Sequence, residues 1–138
     1  YQRGEDRSQG NVEDSSATTM RAPNDLGYAS STLKQKNYQV KLKDYQSENL
    51  SFDVLKSDFE KFIPDVIFMS ITNATIFGDL EIISELIKDR PNTVVILKGA
   101  LFFNPDDEML KLLPLENIDY LIGGESDFVL AAKIDKII

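Results

Sequence analysis

Two short apolar runs dominate the hydrophobic pattern of the chain, at 65–72 and 93–98. Apolar runs of this length with little alternation are typical of strands buried on both faces of a parallel sheet. Apolar residues recur at helical spacing between the two runs, so the pair predicts one βαβ unit. A third short strand is predicted at 119–122. At 38–44, apolar residues alternate with lysines, which predicts an edge strand with its lysines outward.

Helical patterns fill the segments around these strands. Helices are predicted at 24–36, 51–63, 75–89 and 126–138, with a further helix start at 104–107. Ser51 and Ser126 suit N-caps, and Pro64 ends the second helix. Strict alternation of helix and strand predicts an α/β fold of three layers, a flavodoxin-like (Rossmann-like) parallel sheet with helices on both faces. The helical spacing places Phe77 inward, and the strand residues expected among the most buried are Val66, Phe68, Val95, Leu97 and Leu121.

The start of the pattern is unusual for this fold. Alternating α/β folds begin with a strand, and in the order 2-1-3-4-5 that first strand is central. The strand at 38–44 would need it as a neighbour, so we expect the first strand to lie upstream of residue 1. The alternative is a four-stranded sheet in which 38–44 pairs directly with 65–72. Residues 1–22 are polar and predict a loop or tail, or a long loop that contributes to a ligand site, whereas 23–138 form the folded domain.

Composition narrows the chemistry. The chain of 138 residues has a net charge of −8, which argues against nucleic acid as a partner. No apolar run approaches the roughly 20 residues that span a bilayer, and there is neither a signal-peptide pattern nor an initiator Met. We therefore expect a cytoplasmic piece of a longer gene product. The chain has no Cys and no His, which excludes disulfides, thiolate or imidazole metal ligands, iron–sulfur clusters and Ser-His-Asp triads within it.

Small and polar residues follow three of the predicted strands. In open parallel sheets ligands bind outside the carboxyl ends of the strands, so these residues are the candidates for a binding site. The same residues also suit strand ends and tight turns. Phe102 and Phe103 suit either core packing or stacking on a ring, and 104–107 suits a helix cap better than a metal site. The candidate binding residues are Ser70, Thr72, Asn73, Gly99, Ala100, Gly123, Gly124 and Glu125.

These residues carry a resemblance to a known family. The opening Pro23-Asn24-Asp25-Leu26-Gly27-Tyr28-Ala29, followed by Tyr38-Gln39-Val40 and Asp44, resembles the start of the cobalamin (B12)-binding-like domain that precedes many radical S-adenosylmethionine domains. The turn Lys98-Gly99-Ala100 with Phe102-Phe103 is similar to the subgroup of anaerobic magnesium-protoporphyrin IX monomethyl ester oxidative cyclase-like proteins. The resemblance covers about 23–138, and its further matches are Pro64-Asp65-Val66-Ile67, Ser70-Ile71-Thr72, Ile118-Asp119-Tyr120 and Gly123-Gly124-Glu125-Ser126.

The resemblance implies a cofactor role for the eight candidate residues and no catalytic or metal-ligating residue in this chain. Ser70-Ile71-Thr72 falls where the family has Ser-x-Leu, and Lys98-Gly99 falls where it has Gly-Gly. The family's Asp-x-His-x-x-Gly motif is absent. Cobalamin would therefore bind base-off without a protein ligand, or its binding has been lost.

The implied function is positional. The domain alone catalyses nothing, and it holds a corrinoid for a downstream radical S-adenosylmethionine domain in cis, which would contain S-adenosylmethionine and a [4Fe-4S] cluster. The implied chemistry of the whole protein is oxidative cyclase or methyltransferase chemistry on a tetrapyrrole-related substrate. A docking module without cofactor is the alternative. A receiver domain fits less well, because Ser70-Ile71-Thr72 and Gly123-Gly124 stand where a receiver needs its phosphorylated Asp and its Lys.

Overall fold

The structure is a computed structural model. It describes residues 5–6, 10–11, 24–43, 45, 48–73 and 75–138, with backbone only at 5–6, 10–11 and 127. The described elements, in chain order, are β1 (Glu5–Asp6), β2 (Gly10–Asn11), α1 (Asn24–Gln35), α2 (Phe52–Phe62), β3 (Val66–Ser70), α3 (Ile76–Ile87), β4 (Val94–Lys98), α4 (Asp107–Leu110), β5 (Tyr120–Ile122) and α5 (Asp127–Ile137), with a 3-10 turn at Ala100–Phe102.

The central sheet has three parallel strands in the order β3-β4-β5. Val66 pairs with Val94, and Ile96 pairs with Tyr120. Each connection leaves the carboxyl end of one strand and crosses back through helical turns to the amino end of the next strand. All three strands therefore point the same way. The chain is therefore an α/β fold with helices on both faces of a parallel sheet, which is consistent with a flavodoxin-like fold and confirms the predicted class.

Two apolar clusters cover the two faces of the sheet. On one face, Val95 and Leu97 pack with residues of α3 and with Phe102. On the other face, Ile96 packs with Ala29 of α1 and with residues of α5. The alternation follows from the period of two along a strand. The three β4 residues have no accessible surface, so β4 is the centre of the core.

The predicted N-caps of the helices are found in part. Ser51 caps α2, and its hydroxyl accepts from the Val54 N–H at 3.4 Å. Asp106, within the predicted helix start at 104–107, caps α4, and its side-chain oxygen accepts from the Glu108 N–H at 3.0 Å. Ser126 stands at the N-cap position of α5 but makes no capping hydrogen bond.

The predicted strand at 38–44 is wrong for the residues that the structure describes. Residues 38–43 form no strand, and Asp44 lies outside the described residues. The lysines of this segment pair instead with Asp58 on α2, at 3.1 Å from Lys41 and 3.0 Å from Lys43. A strand exists only where a neighbour completes its ladder, and no described strand lies beside this segment. Direct pairing of 38–44 with 65–72 is therefore not observed.

Burial also departs from the prediction at the margins of the sheet. Val95 and Leu97 are fully buried as predicted, but Val66 and Phe68 are only half-buried, because among the described residues β3 has a neighbouring strand on one side only. Leu121 is 37% exposed, because β5 has a neighbouring strand on only one side among the described residues. Phe77 is 59% exposed rather than inward, since Ile76 occupies the buried position in the first turn of α3.

The polar segment 1–22 is described only at its two short strands. Glu5 lies opposite Asn11 and Asp6 opposite Gly10 in an antiparallel pair. The remainder of the loop or tail predicted at 1–22 lies outside the described residues.

Candidate functional site

The carboxyl ends of the three sheet strands meet at one edge. The Ile71 N–H donates to the Lys98 carbonyl at 2.8 Å, and the Gly99 N–H donates to the Ile122 carbonyl at 3.1 Å. These bonds hold the three strand ends side by side. The eight predicted residues therefore lie along this edge in three groups, after β3 (Ser70, Thr72, Asn73), after β4 (Gly99, Ala100) and after β5 (Gly123, Gly124, Glu125).

A carboxylate from α1 binds the ends of two strands. Asp25 Oδ2 lies 3.2 Å from the Ser70 hydroxyl, which donates to it, and 3.3 Å from Lys98 Nζ. About a third of the Asp25 side chain and less than a fifth of the Lys98 side chain are exposed. The sequence reasoning missed Asp25, because only the fold brings the first turn of α1 to β3 and β4.

The pKa of Asp25 is lowered from its ordinary value. Burial alone would raise this pKa, but the hydrogen bond and the positive charge of Lys98 outweigh that effect. The Leu26 backbone N–H and the Ser70 hydroxyl lower the pKa further. The carboxylate is therefore charged at neutral pH and links the first turn of α1 to the ends of β3 and β4.

A second polar cluster joins the end of β3 to α3. The hydroxyls of Thr72 and Thr75 lie 3.2 Å apart, and Thr75 donates to Asp79 Oδ2 at 2.8 Å. Asp79 is 2% exposed. A carboxylate in the first turn of a helix is stabilised by the positive end of the helix dipole. Thr72 is thus engaged with the start of α3.

The three glycines of the edge have different surroundings. A Cβ on Gly123 would lie 2.1 Å from the Phe102 carbonyl oxygen and 2.3 Å from the Phe103 Cα, so the backbone of this loop packs directly on Gly123. A Cβ on Gly99 would lie 3.2 Å from Ile71 Cγ1. A Cβ on Gly124 would meet nothing within 4 Å. Gly124 is the glycine with open space beside it.

This arrangement does not fit a corrinoid as it stands. A flat ring that approaches glycine backbone needs the space where a side chain would be. Ile71 and Phe102 fill that space at Gly99, and the 102–103 backbone fills it at Gly123. The Ser70 hydroxyl, which would meet the nucleotide tail, donates to Asp25. We therefore assign no chemical step to a corrinoid at this edge.

Aromatic side chains surround the same edge. Tyr28 lies in α1 one residue beyond its first turn, Phe77 and Phe128 lie at the starts of α3 and α5, and Phe103 lies in the loop after β4. Their exposed fractions are 65%, 59%, 75% and 76% in that order. Exposed aromatic residues suit contact with a partner, because each ring can bury a large apolar area. The spacing of apolar residues did not predict the exposure of these rings, because it does not show which apolar residues at the border of a buried helix face remain in contact with solvent.

A cavity of about 510 Å³ lies at the opposite end of the sheet. Its lining includes Lys88 at the end of α3, Thr93 before β4 and Asp119 before β5. Asp119 Oδ2 accepts from the Val95 N–H at 2.7 Å, so this carboxylate supports the start of β4. None of the predicted site residues lines the cavity.

Within the described part of the chain, no three Asp or Glu side chains are grouped as a metal site. No described helix combines the length and apolar character needed to cross a membrane. No protein-family model, curated protein or solved structure matches the chain. The resemblance to cobalamin-binding-like domains therefore stays a prediction.

Proposed function

We propose that this chain is a degenerate cobalamin-binding-like domain that acts as a non-catalytic docking module. The observation that carries the proposal is that the sheet edge formed by the carboxyl ends of β3, β4 and β5 is already filled. Side chains and backbone of the chain itself occupy it, through the Asp25–Lys98 pair and the packing at Gly123. At the same time four exposed aromatic residues surround it. The edge is thus closed to a deep ligand and suited to contact with another protein surface.

The exposed rings supply the binding chemistry. Aromatic residues are enriched at the centres of protein interfaces because they bury a large area with few rotatable bonds. The partner that we propose is the downstream radical S-adenosylmethionine domain in cis, in a cytoplasmic protein of the oxidative cyclase-like or methyltransferase-like type. Docking would hold that catalytic domain against the carboxyl ends of the strands, where related domains present their cofactor.

Small-angle X-ray scattering of the full-length protein tests the docking proposal. The double variant Phe103→Ala/Phe128→Ala removes two exposed rings and should release the docked domains, so the radius of gyration should increase. Leu112→Ala is the matched control, since Leu112 is as exposed as Phe103 but lies beyond α4. An unchanged radius of gyration in the double variant, or an equal increase in the control, would contradict docking through this edge.

Corrinoid binding is the second candidate. The specific observation in its favour is that all eight predicted residues lie at one edge and that Gly124 has open space beside it. Absorbance and calorimetric titration of the chain with hydroxocobalamin tests it. If the cofactor binds, Ser70→Leu should weaken binding by roughly 1–3 kcal/mol through steric block and a lost hydrogen bond, whereas Asp106→Asn/Asp107→Asn should leave it unchanged. No binding in a full-length protein would favour docking without cofactor.

A further inference from the structure

Helix α2 is attached to the fold differently from the other described helices. Neither of the two apolar clusters that cover the sheet includes a residue of α2, whereas α1, α3, α4 and α5 each supply apolar residues to one of them. Phe59 is the one buried residue of α2, while α3, which is one residue longer, has six. Burial of an apolar face supplies most of the stability of a helix in a protein. Helix α2 therefore depends on other contacts to keep its place.

Polar contacts of Asp58 hold the middle of α2. An oxygen of Asp58 lies 3.1 Å from Lys41 Nζ, and the other lies 3.0 Å from Lys43 Nζ. The Tyr45 hydroxyl also donates to Asp58 Oδ2 at 2.9 Å. These three hydrogen bonds, the one from Lys43 first, hold the pKa of Asp58 well below its ordinary value, so the carboxylate is charged at neutral pH. Together these four side chains form the latch of α2.

The latch connects α2 to a part of the chain that is anchored in the core. Tyr38, three residues before Lys41, packs against the cluster of α1 and α5, and its N–H donates to the Leu33 carbonyl at 3.2 Å. A second polar link of α2 is the ion pair of Lys56 with Glu85 on α3, at 3.1 Å. Both side chains of this pair are at least a third exposed, and exposed ion pairs stabilise little. The latch is therefore the stronger of the two polar links.

The backbone at the carboxyl end of α2 is strained. Ile63 has φ 51° and ψ 62°, in the left-handed region, which a residue with a β-branched side chain rarely adopts. Pro64 follows it, and a residue before proline favours extended rather than helical backbone angles. The Ile63 N–H donates to the Phe59 carbonyl at 2.9 Å, but its side chain is 57% exposed. Side-chain packing therefore compensates little for the strain, and opening of α2 would relieve it.

We infer that α2 is a lid that opens while the sheet stays folded, with Ile63 as its hinge and the latch holding it closed. An isolated helix of 11 residues is not stable in water, so the opened helix loses its backbone hydrogen bonds. Opening exposes Phe59 together with Leu55, which lies four residues earlier on the same face. Both apolar clusters stay intact, because neither includes a residue of α2. The inference is independent of the docking proposal, because none of the four exposed aromatic residues at the carboxyl edge lies in α2.

Amide hydrogen exchange of the full-length protein, measured by mass spectrometry, tests the inference. Peptides that cover 52–62 should exchange at least about 10-fold faster than peptides that cover 76–87. Asp58→Asn removes the charge of the latch and should speed exchange in 52–62 by at least about 5-fold, without an effect in 76–87. Glu60→Gln is the matched control and should change neither rate, because it removes an exposed carboxylate of the same helix that lies outside the latch.

Substitution of Ile63 tests the hinge by the same measurement. Glycine adopts the left-handed region without strain, so Ile63→Gly should slow exchange in 52–62 by at least about 3-fold. Ile63→Val is the matched control, because valine keeps the β-branch and should leave the exchange rate unchanged.

Three results would overturn the inference. Equal exchange in 52–62 and 76–87 of the wild-type protein would show that α2 opens only when the whole fold opens. Equal effects of Asp58→Asn and Glu60→Gln would show that the latch does not hold the helix. Faster exchange in Ile63→Gly would show that the backbone at Ile63 stores no strain. The first comparison needs no variant, so it stands even if a substitution prevents folding.

Discussion

The substitution Gly123→Ala tests whether the Gly123-Gly124 pair serves the fold or a ligand. At Gly123 the new methyl group would lie 2.1 Å from the Phe102 carbonyl oxygen and 2.3 Å from its carbonyl carbon. Both atoms belong to the backbone, so a side-chain rotation cannot relieve the contact. Either the loop after β4 or the turn after β5 must move by about 1 Å.

The expected loss of stability follows from this overlap. Overpacking a filled site costs typically 1–3 kcal/mol, and a backbone contact lies at the upper end, so we expect a loss of about 3 kcal/mol. A domain of this size has a total stability of about 5–15 kcal/mol. Gly123→Ala should therefore still fold, with a melting temperature about 10 °C lower.

Gly124→Ala is the matched control, because its methyl group would meet nothing within 4 Å. We expect it to change the free energy of unfolding by less than about 1 kcal/mol. The chain has no Trp, so urea unfolding is best followed by far-ultraviolet circular dichroism. If the two variants differ by less than about 0.5 kcal/mol, the close packing of the 102–103 backbone on Gly123 is refuted.

Three further substitutions test individual side chains. The pKa of Asp25 is lowered in the folded state from 3.8, so its pairing stabilises the fold above that pH and is lost as the pH falls through the folded-state pKa. Wild-type stability should therefore fall more steeply below about pH 5 than that of Asp25→Asn in urea titrations, and parallel pH curves would contradict this. Ser126→Ala should leave stability unchanged or raise it by up to about 1 kcal/mol, because the Ser126 hydroxyl is buried and has no hydrogen-bond partner among the described residues; a clear loss of stability would contradict this. Thr75→Val removes a donor to buried Asp79 and should cost about 1–3 kcal/mol by thermal unfolding, whereas Thr75→Ser should retain most of it.

The fold could be predicted where apolar spacing is strong. The strands at 66–70 and 94–98 and the helix between them follow from apolar runs that only a buried sheet accommodates. The prediction of an edge strand at 38–44 was wrong because a strand forms only when a second strand pairs with it. The sequence of 38–44 shows the alternating pattern of one strand but not whether a partner lies beside it. The burial of Leu121 was mispredicted for a related reason, since β5 has only one described neighbouring strand and the sequence does not show how many neighbours a strand has.

The position of the candidate site in the fold could be predicted from the sequence, but the contacts of its side chains could not. Parallel strands must end at one edge, so the grouping of the eight residues follows from topology. Asp25 was missed because its partners are 45 and 73 residues away in the chain. The roles of the three glycines were equally hidden, because their surroundings are set by Ile71, Phe102 and Phe103.

The closed state of this edge bears on the choice between the two candidate functions. A nucleotide tail at Ser70 would have to displace Asp25, which leaves the mostly buried Lys98 without its carboxylate. An unpaired polar group costs about 1–3 kcal/mol, equivalent to about a 5- to 150-fold weaker dissociation constant. Contact through Tyr28, Phe77, Phe103 and Phe128 requires no such rearrangement, because these rings are already exposed. A corrinoid would need enough new contacts to offset this loss, and that difference is why we favour docking.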